Sequence, residues 1–405
     1  MDLIAAVVGA MVILIVALDA FETVVLPRGV SRRFRIARLF YAGSWHTAKA
    51  IARVIKPGSR REAYFGYFGP LSLLALFSFW AVLFVLGFGL LLWGIELPLN
   101  SQGNGHSLTT YLYFSGTTFF TLGLGDISPM PGVTRALVVI EVASGFAFLA
   151  LVISYVPVIY QAFSRRELRI SLLDARAGSP ATAAELLHRN CAGKSAEELR
   201  ILLRDWEAWC GDILESHLSY PVLAYYRSQH DEQSWLGALT VILDTCAIIM
   251  SGIESIPAAY ARFAFAIARH TVVDLAQIFG AAPIVDANRL SSAEYTRLRE
   301  VLGASGVRLL DDMPGGTSGE QRLAEIRATY EPFVSALAQY MLLALPPWIR
   351  PEGSLDDWQT SAWDDLMPSV GPTLRAIMRK PSPVHHDAGR EPVESYFSPT
   401  DMRDH

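Results

Sequence analysis

Several common binding signatures are scarce or absent in this sequence of 405 residues. No glycine-rich nucleotide fingerprint, phosphate loop or EF-hand loop occurs, and the second half shows no alternating strand series. No nucleophile, base and oxyanion set converges there, so an enzyme is the least expected class. There is no CxxC pair, and we expect reduced, mostly structural thiols at the three cysteines, Cys191, Cys210 and Cys246.

Positive charge is also missing from long stretches. Residues 62–134 contain no Lys or Arg, and residues 166–405 hold 22 basic against 32 acidic residues. An acidic second half argues against nucleic acid as a partner, because phosphate contacts need clustered Lys and Arg. The first 26 residues have no repeated-arginine series, so a conventional voltage sensor is not indicated.

Long hydrophobic runs are abundant, with 52% hydrophobic residues and a mean hydropathy of +0.30. Residues 3–26, 65–95 and 136–163 each exceed the ~20 helical residues that cross a ~30 Å hydrocarbon layer. We expect three transmembrane helices. The first stays uncleaved, because it lacks a basic leading segment and is too long for a signal peptide. The charged residues within the three runs are Asp19, Glu22 and Glu141.

Charge orients these helices. Residues 28–64 contain ten Lys or Arg against the single acid Glu62. Positive charge returns just after the third run, with Arg165, Arg166 and Arg169. Because cytoplasmic loops carry the excess of Lys and Arg, we expect the N-terminus and residues 97–131 outside, and everything after about residue 165 in the cytoplasm.

The segment between the second and third runs combines a short helical pattern with glycines. Ser107 is placed to cap a helix of about a dozen residues, which reaches only partway through a bilayer. The sequence TLGLGD, residues 121–126, follows at once. Non-helical backbone is tolerated at membrane depth only where protein buries it or water reaches it. The pattern therefore predicts a re-entrant helix and a loop that line a pore.

The TLGLGD sequence resembles the selectivity filter of tetrameric potassium channels, whose usual form is Thr-Val-Gly-Tyr-Gly-Asp. Carbonyls that all face one way need alternating backbone conformations with φ > 0, which Gly123 and Gly125 reach without steric cost. The C-terminal end of the short helix adds partial negative charge near the cation. The resemblance implies that four identical loops replace the hydration shell of K⁺ with the backbone carbonyls of Thr121, Leu122, Gly123, Leu124 and Gly125.

The resemblance covers residues 66–163. Residues 111–115 stand where the family has an aromatic-rich pore helix. Gly145 stands where many such channels have a hinge glycine in the inner helix, and close packing is the other interpretation of this glycine. Leu124 replaces the tyrosine whose hydroxyl ties the filter to the pore helix in the family. Phe114 and Phe119 can then only pack against the leucine.

Three further residues are expected to support the filter together with Asp126. Thr117 stands where some family members have a glutamate, and its hydroxyl can donate to Asp126. Glu141 is costly inside the third run and is therefore a candidate functional group. It can hydrogen-bond to Thr117 or Thr118 behind the filter, face the cavity and attract cations, or snorkel towards the outer water layer.

The first span and the linker after it are additions to a minimal two-helix channel. Asp19 and Glu22 lie at i and i+3, where they can form a structural clamp with Arg28, Arg32 or Arg33. The linker, residues 28–64, places apolar side chains among arginines in an amphipathic pattern. This pattern suits an interfacial helix that binds anionic lipid headgroups, or a cytosolic helix that packs on the C-terminal domain.

Helical periodicity extends from residue 167 to about residue 380. Residues 235–253 are apolar enough for a fourth span, but Asp244 at their centre favours a buried core helix. Two pairs are candidate ligand sites, for an anion and a metal ion respectively, although packing or a surface hydrogen bond also explains each. They are Arg227 with His230, and His270 with Asp274.

The sequence thus predicts an all-α membrane protein with three transmembrane helices plus a re-entrant pore helix and filter per subunit, followed by an α-helical cytoplasmic domain. The expected division is a first helix (1–27), a basic linker (28–64), a pore domain (65–165), a helical regulatory domain (166–380) and a disordered tail (381–405).

We expect a homotetramer, because four loops complete a filter and this chain has one. It would conduct K⁺ passively across the bacterial cytoplasmic membrane, with K⁺ as the permeant ion and no cofactor. Gating would bend or rotate the third span, driven by the cytoplasmic domain across residues 163–172, with the stimulus and any regulatory ligand left open. Two alternatives remain: a membrane sensor with a closed or vestigial pore, and a weakly selective cation channel.

Overall fold

The computed structural model describes residues 2–26, 35–56, 58–101, 107–191, 196–230, 233–311 and 318–351, and it is that of an all-α membrane protein. The tail predicted for residues 381–405 lies outside the described residues. Met1–Leu355 forms one compact unit. Its helices are α1 (Leu3–Val24), α2 (Ile36–Ala52), α3 (Ser59–Gly94), α4 (Leu108–Phe119), α5 (Val133–Ala177), α6 (Ala183–Cys191), α7 (Ala196–Ser219), α8 (Trp235–Gly252), α9 (Arg262–Phe279), α10 (Ser292–Ala304), α11 (Gly319–Arg327) and α12 (Glu331–Met341).

Three helices, α1, α3 and α5, are long and apolar enough to cross a membrane and carry apolar side chains on the surface of the single chain. Helix α1 runs antiparallel to α3, since Ala6 lies against Gly94 and Asp19 against Trp80. A Cβ atom on Gly9 would overlap the backbone of α3. Glycines at this crossing therefore allow the two backbones to approach closely, as is usual between membrane helices.

A fourth helix, α8, also has the length and hydropathy of a span. Sixteen of its eighteen residues are buried, in contact with α6, α9, α11 and α12. At its centre Asp244 accepts hydrogen bonds from Arg289 Nη2 at 2.9 Å and from the Tyr330 hydroxyl at 2.7 Å. Helix α8 is therefore the core of the C-terminal bundle, α6 to α12, in agreement with the expected buried core helix.

The basic linker contains α2, which packs on the C-terminal bundle. Trp45, Ala48 and Ala52 belong to the core of that bundle, and Trp45 Nε1 donates to the Tyr340 carbonyl at 3.1 Å. The structure thus shows packing on the C-terminal domain for this part of the linker, while binding of anionic lipid headgroups stays a prediction.

Asp19 ties the first span to the linker. Its Oδ2 atom accepts from the Ala37 backbone N–H, at the start of α2, and from Trp80 Nε1, each at 3.0 Å. This is the role of an N-cap, which satisfies a free N–H at the helix start. Glu22 lies 3.9 Å from Arg35. Arg28, Arg32 and Arg33, the expected partners of the two acids, lie outside the described residues.

Candidate functional site

Helix α4 is a half-length helix between two spans. The Ser107 side chain caps it by accepting from the Thr110 backbone N–H at 3.3 Å. Its 12 residues extend about 18 Å, well short of the ~30 Å hydrocarbon layer. It packs against both α3 and α5. Its C-terminal end therefore lies between the second and third spans, and the TLGLGD loop begins there.

The loop backbone alternates in conformation. Positive φ angles occur at Thr121 (56°), Gly123 (53°) and Gly125 (81°), which are every second residue. The Thr118 carbonyl accepts from the Thr121 N–H at 3.0 Å, and the Thr117 carbonyl accepts from the Leu122 N–H at 2.7 Å. In the described part of the chain, no hydrogen bond ends on the five carbonyl oxygens from Thr121 to Gly125. These acceptors therefore have no backbone donor in the described part of the single chain.

The side chains around the loop are largely unburied in one chain. Leu122 is 62% exposed and Leu124 59% exposed. Phe119 stacks on Phe84 with ring centroids 5.4 Å apart, and Phe114 packs with a cluster that includes Tyr111. Both phenylalanines therefore have packing partners on α3 or α4, and the packing against Leu124 that the sequence suggested stays a prediction.

Asp126 has a different partner from the expected one. The Tyr113 hydroxyl donates to Asp126 Oδ2 at 2.9 Å, whereas the Thr117 hydroxyl donates to the Phe114 carbonyl at 3.0 Å. The expected Thr117 bond was wrong because a threonine side chain near a helix end is satisfied by the carbonyl three residues earlier. Tyr113 lies one helical turn before Thr117, and its longer side chain reaches the end of the loop.

A short antiparallel strand pair closes the region after the loop. Strand β1 (Leu99–Ser101) pairs with β2 (Ile127–Pro129), with Leu99 opposite Pro129. The Tyr111 hydroxyl donates to the Leu97 carbonyl at 2.7 Å. The pore helix and the segment after the loop are thus both fixed to the chain that follows α3.

Glu141 is fully buried behind the loop, where it meets Ser115 of the pore helix. Ser115 Oγ also lies 3.0 Å from the Val85 carbonyl of α3. The Ser115 hydroxyl thus lies between the Glu141 carboxyl and the Val85 carbonyl, and it can share its proton between the two acceptors. The expected partners, Thr117 and Thr118, were wrong because Ser115 lies on the face of α4 that meets α5. The group joins α3, α4 and α5, and the full burial of Glu141 does not fit an acid that snorkels towards water.

Gly145 lies in close contact with the pore helix. A Cβ atom built on it would overlap the Phe119 carbonyl oxygen. Of the two interpretations of this glycine, close packing has a direct structural basis, while a hinge stays a prediction. Pro157 lies further along α5 and removes one helical hydrogen bond. It is a second candidate bend that the sequence displayed and that glycine-based reasoning missed.

Helix α5 continues without a break across residue 165 to Ala177 and contacts the C-terminal bundle through Arg166. The Arg166 side chain is 2% exposed. Its guanidinium donates to the carbonyls of Leu223 and Tyr226, each at 2.8 Å, and to Glu167 at 3.0 Å. The segment that α5 holds in this way, residues 220–227, also contacts α3, where Arg227 lies 3.7 Å from Glu62. Both helices beside the pore loop are thus attached to the same segment.

The two candidate ligand pairs stay predictions, and three of their four residues make contacts within the chain. Arg227 donates to the Met341 carbonyl at 2.7 Å, and burial lowers its pKa to about 10. His270 lies 3.3 Å from Asp274, with its side chain 60% exposed. Among the described residues no group of three or more potential metal ligands occurs.

Comparison with known proteins points to a membrane channel. Residues 73–161 match a protein family described as "Ion channel". The chain is 28% identical over 188 residues to "Uncharacterized membrane protein YdjJ" of Bacillus subtilis (strain 168), an alignment that covers 46% of this chain and 54% of that protein. It thus spans about half the length of this curated relative. No solved structure matches the chain. The matched family segment contains α4, the TLGLGD loop, Glu141 and Gly145, within a multi-pass membrane protein.

Proposed function

We propose that four copies of this chain form a potassium-selective channel in which the carbonyls of residues 121–125 line the axis. The observation that carries the proposal is the alternating backbone of that loop, at the end of a half-length helix, with five carbonyl oxygens that accept no hydrogen bond from the described residues. Rings of such carbonyls replace the hydration shell of K⁺ in selectivity filters. The ion-channel family match over the same residues supports this assignment.

The exposed surface of α5 supports assembly from several copies. It carries large apolar side chains that are more than half exposed in one chain. In the proposed channel, one face packs on neighbouring subunits and another borders the pore or lipid. These exposed side chains include Val139, Ile140, Phe146, Leu149, Ile153 and Tyr160, and their exposed fractions range from 53% to 67%.

Gating in the proposed channel passes through α5. Its 45 residues form one helix from the loop to the C-terminal bundle, where Arg166 clamps the segment of residues 220–227. A movement of the bundle would therefore be transmitted to the pore wall, with Pro157 or Gly145 as the bending point. The proposed orientation keeps the N-terminus outside and the bundle in the cytoplasm, in a bacterial cytoplasmic membrane.

Two alternatives differ from this proposal in what they conduct. A weakly selective cation channel is favoured by Leu124, because no hydroxyl on this side chain can fix the loop to the pore helix. A membrane sensor with a closed pore is favoured by the size of the C-terminal bundle. The carbonyl rings do not depend on side chains, and this favours potassium selectivity.

Ion flux into liposomes that contain the purified full-length protein tests the proposal. We expect K⁺ flux that exceeds Na⁺ flux and that falls to the protein-free level in Gly123→Asp, which adds a charged side chain to a loop residue with positive φ. Equal Na⁺ flux would support the weakly selective alternative. No flux in either salt, with correctly assembled protein, would contradict conduction and favour the sensor.

A further inference from the structure

A cavity of about 480 Å³ lies where the membrane helices meet the C-terminal bundle. Its walls come from the ends of α1 and α2, from α3 and α5, and from residues 218–225, 277–279 and 340 of the bundle. Its volume falls within the roughly 300–1,000 Å³ of pockets that hold small ligands. The cavity contacts both a pore-lining helix and the segment that Arg166 clamps.

The inner part of the cavity is apolar. It is lined by Leu73, Leu76, Phe77 and Val222. Trp80, whose Nε1 atom donates to Asp19 near the C-terminal end of α1, also lines it. An apolar chamber beside the ends of the spans that meet the C-terminal bundle suits a hydrocarbon tail. Each CH₂ group buried there adds to affinity.

The mouth of the cavity carries positive charge. Arg35 and Arg38 line it against the single acid Glu22, which lies 3.9 Å from Arg35. Arg38 is exposed and makes no ion pair among the described residues. The charge at the mouth therefore favours an anion.

Two buried donors at the mouth make no hydrogen bond of ordinary geometry in the described part of the chain, although the first lies 3.9 Å from Glu22 Oε2 and the second lies near the Ser72 hydroxyl. They are Arg35 Nε and the Tyr41 hydroxyl, both on residues that line the cavity. A buried donor without a partner is costly, and a bound acceptor removes that cost. Burial raises the pKa of Tyr41 well above its usual range, so the hydroxyl keeps its proton as a donor.

We propose that this cavity binds an anionic amphiphile, with its hydrocarbon tail against Leu76, Phe77 and Val222 and its carboxylate or phosphate head at Arg35, Arg38 and Tyr41. A free fatty acid and a phospholipid of the inner leaflet share this chemistry. The bound molecule would bridge α2, α3 and the segment of residues 220–227, and so would stabilise one arrangement of the bundle relative to the spans.

Photolabelling of the full-length protein in nanodiscs tests the site independently of ion conduction. One arm uses a diazirine-bearing palmitate, and the other uses phosphatidylglycerol with the same group in one acyl chain. The neutral controls are the matching alcohol and phosphatidylcholine. We expect labelled peptides from residues 73–80 and 218–225 in at least one anionic arm, and the arm that labels identifies the source.

Three variants sharpen the test. Ala42→Trp narrows the mouth at an exposed position and should reduce labelling at least tenfold. Arg38→Gln should weaken binding about fivefold, as expected for one arginine near a membrane surface. Arg53→Gln removes the same charge from an exposed position after α2, away from this cavity, and should leave binding unchanged.

Several results would overturn the proposal, given variants that elute like the unmodified protein. Labelling confined to the exposed surface of α1 would do so. Equal labelling by the neutral controls would show that the site does not select an anion. Undiminished labelling of Ala42→Trp would show that the probe does not bind in this cavity. A failed flux experiment alone leaves this inference untouched, because binding is measured directly.

Discussion

The pore segment and the C-terminal bundle differ in where their hydrogen-bond acceptors find partners and in how far their apolar side chains are buried. In the bundle, α8 buries sixteen of its eighteen residues, and Asp244 finds its partners on neighbouring parts of the same chain. In the pore segment, the carbonyls of residues 121–125 accept no hydrogen bond within the described chain, and α5 exposes apolar side chains along its length. The bundle thus buries its own polar and apolar groups in one copy, whereas in the proposed channel the pore segment is completed by other copies, lipid and ions.

The largest expected effect comes from the buried ionic network of the bundle. Asp244→Ala leaves Arg289 and the Tyr330 hydroxyl without their acceptor, and breaking a buried pair in this way costs about 3–5 kcal/mol. Thermal unfolding followed by tryptophan fluorescence should show a strongly lowered midpoint. Glu325→Ala, which removes an exposed partner of Arg322, is the matched control with a cost of at most about 1 kcal/mol. Equal midpoints in both variants would contradict a self-sufficient bundle.

The next effect is the pH dependence of stability at His217, which lies in α7 close to Arg166 of α5. Burial, together with the charge of Arg166, lowers the pKa of His217 from 6.5 to about 3. Below pH 6.5 the unfolded chain binds a proton that the folded chain does not, so this contribution to stability is complete above pH 6.5 and is lost as pH falls. The slope is about 1.4 kcal/mol per pH unit.

Unfolding from pH 7 to 4.5 measures this contribution as the difference between the unmodified protein and His217→Phe. Carboxyl groups titrate in both proteins, so only the difference in slope reports the histidine. We expect a steeper loss in the unmodified protein. Parallel curves would mean that His217 is not held neutral by the packed junction.

A smaller effect is expected behind the pore loop. Glu141→Leu removes the partner of Ser115 at a buried site, which costs about 1–3 kcal/mol and should loosen the contact between α4 and α5. Glu141→Gln keeps a neutral hydrogen-bonding group of the same size and should retain K⁺ flux and assembly. Loss of flux in the glutamine variant, with retention in the leucine variant, would contradict a supporting role for this hydrogen bond.

The smallest effect is expected at the exposed end of the loop. Tyr113→Phe removes the hydrogen bond to Asp126, a change of about 0.5–1.5 kcal/mol. Assembly should persist, while the ratio of K⁺ to Na⁺ flux should fall modestly. Thr117→Val is the matched control, because that hydroxyl donates to a helix carbonyl and not to Asp126. A larger change of the flux ratio in Thr117→Val than in Tyr113→Phe would mean that Thr117, and not Tyr113, supports the loop.

Sequence patterns predicted the features that depend on local periodicity. The lengths of the hydrophobic runs predicted the three long apolar helices, and Ser107 predicted the start of α4. Asp244 within an apolar run predicted that α8 is a buried core helix. Each of these depends on one helix and its immediate solvent, so composition and spacing are sufficient.

Partner choice between helices was harder to predict. Ser115, rather than Thr117 or Thr118, meets Glu141, because rotation of α4 against α5 decides which hydroxyl faces the acid. Arg166 was read only as a sign of membrane orientation, yet it is buried and holds two carbonyls. These contacts join residues 26 and about 60 positions apart, and no periodic pattern within one helix encodes such distances.

The most direct test of the account is a structure of the full-length protein in lipid, determined with Tl⁺ in place of K⁺. The account predicts four chains around one axis, with ion density between the carbonyls of residues 121–125 and with α5 packed against neighbouring copies. A monomer or dimer in which these loops lie apart, or a tetramer with no density between the carbonyls, would contradict it.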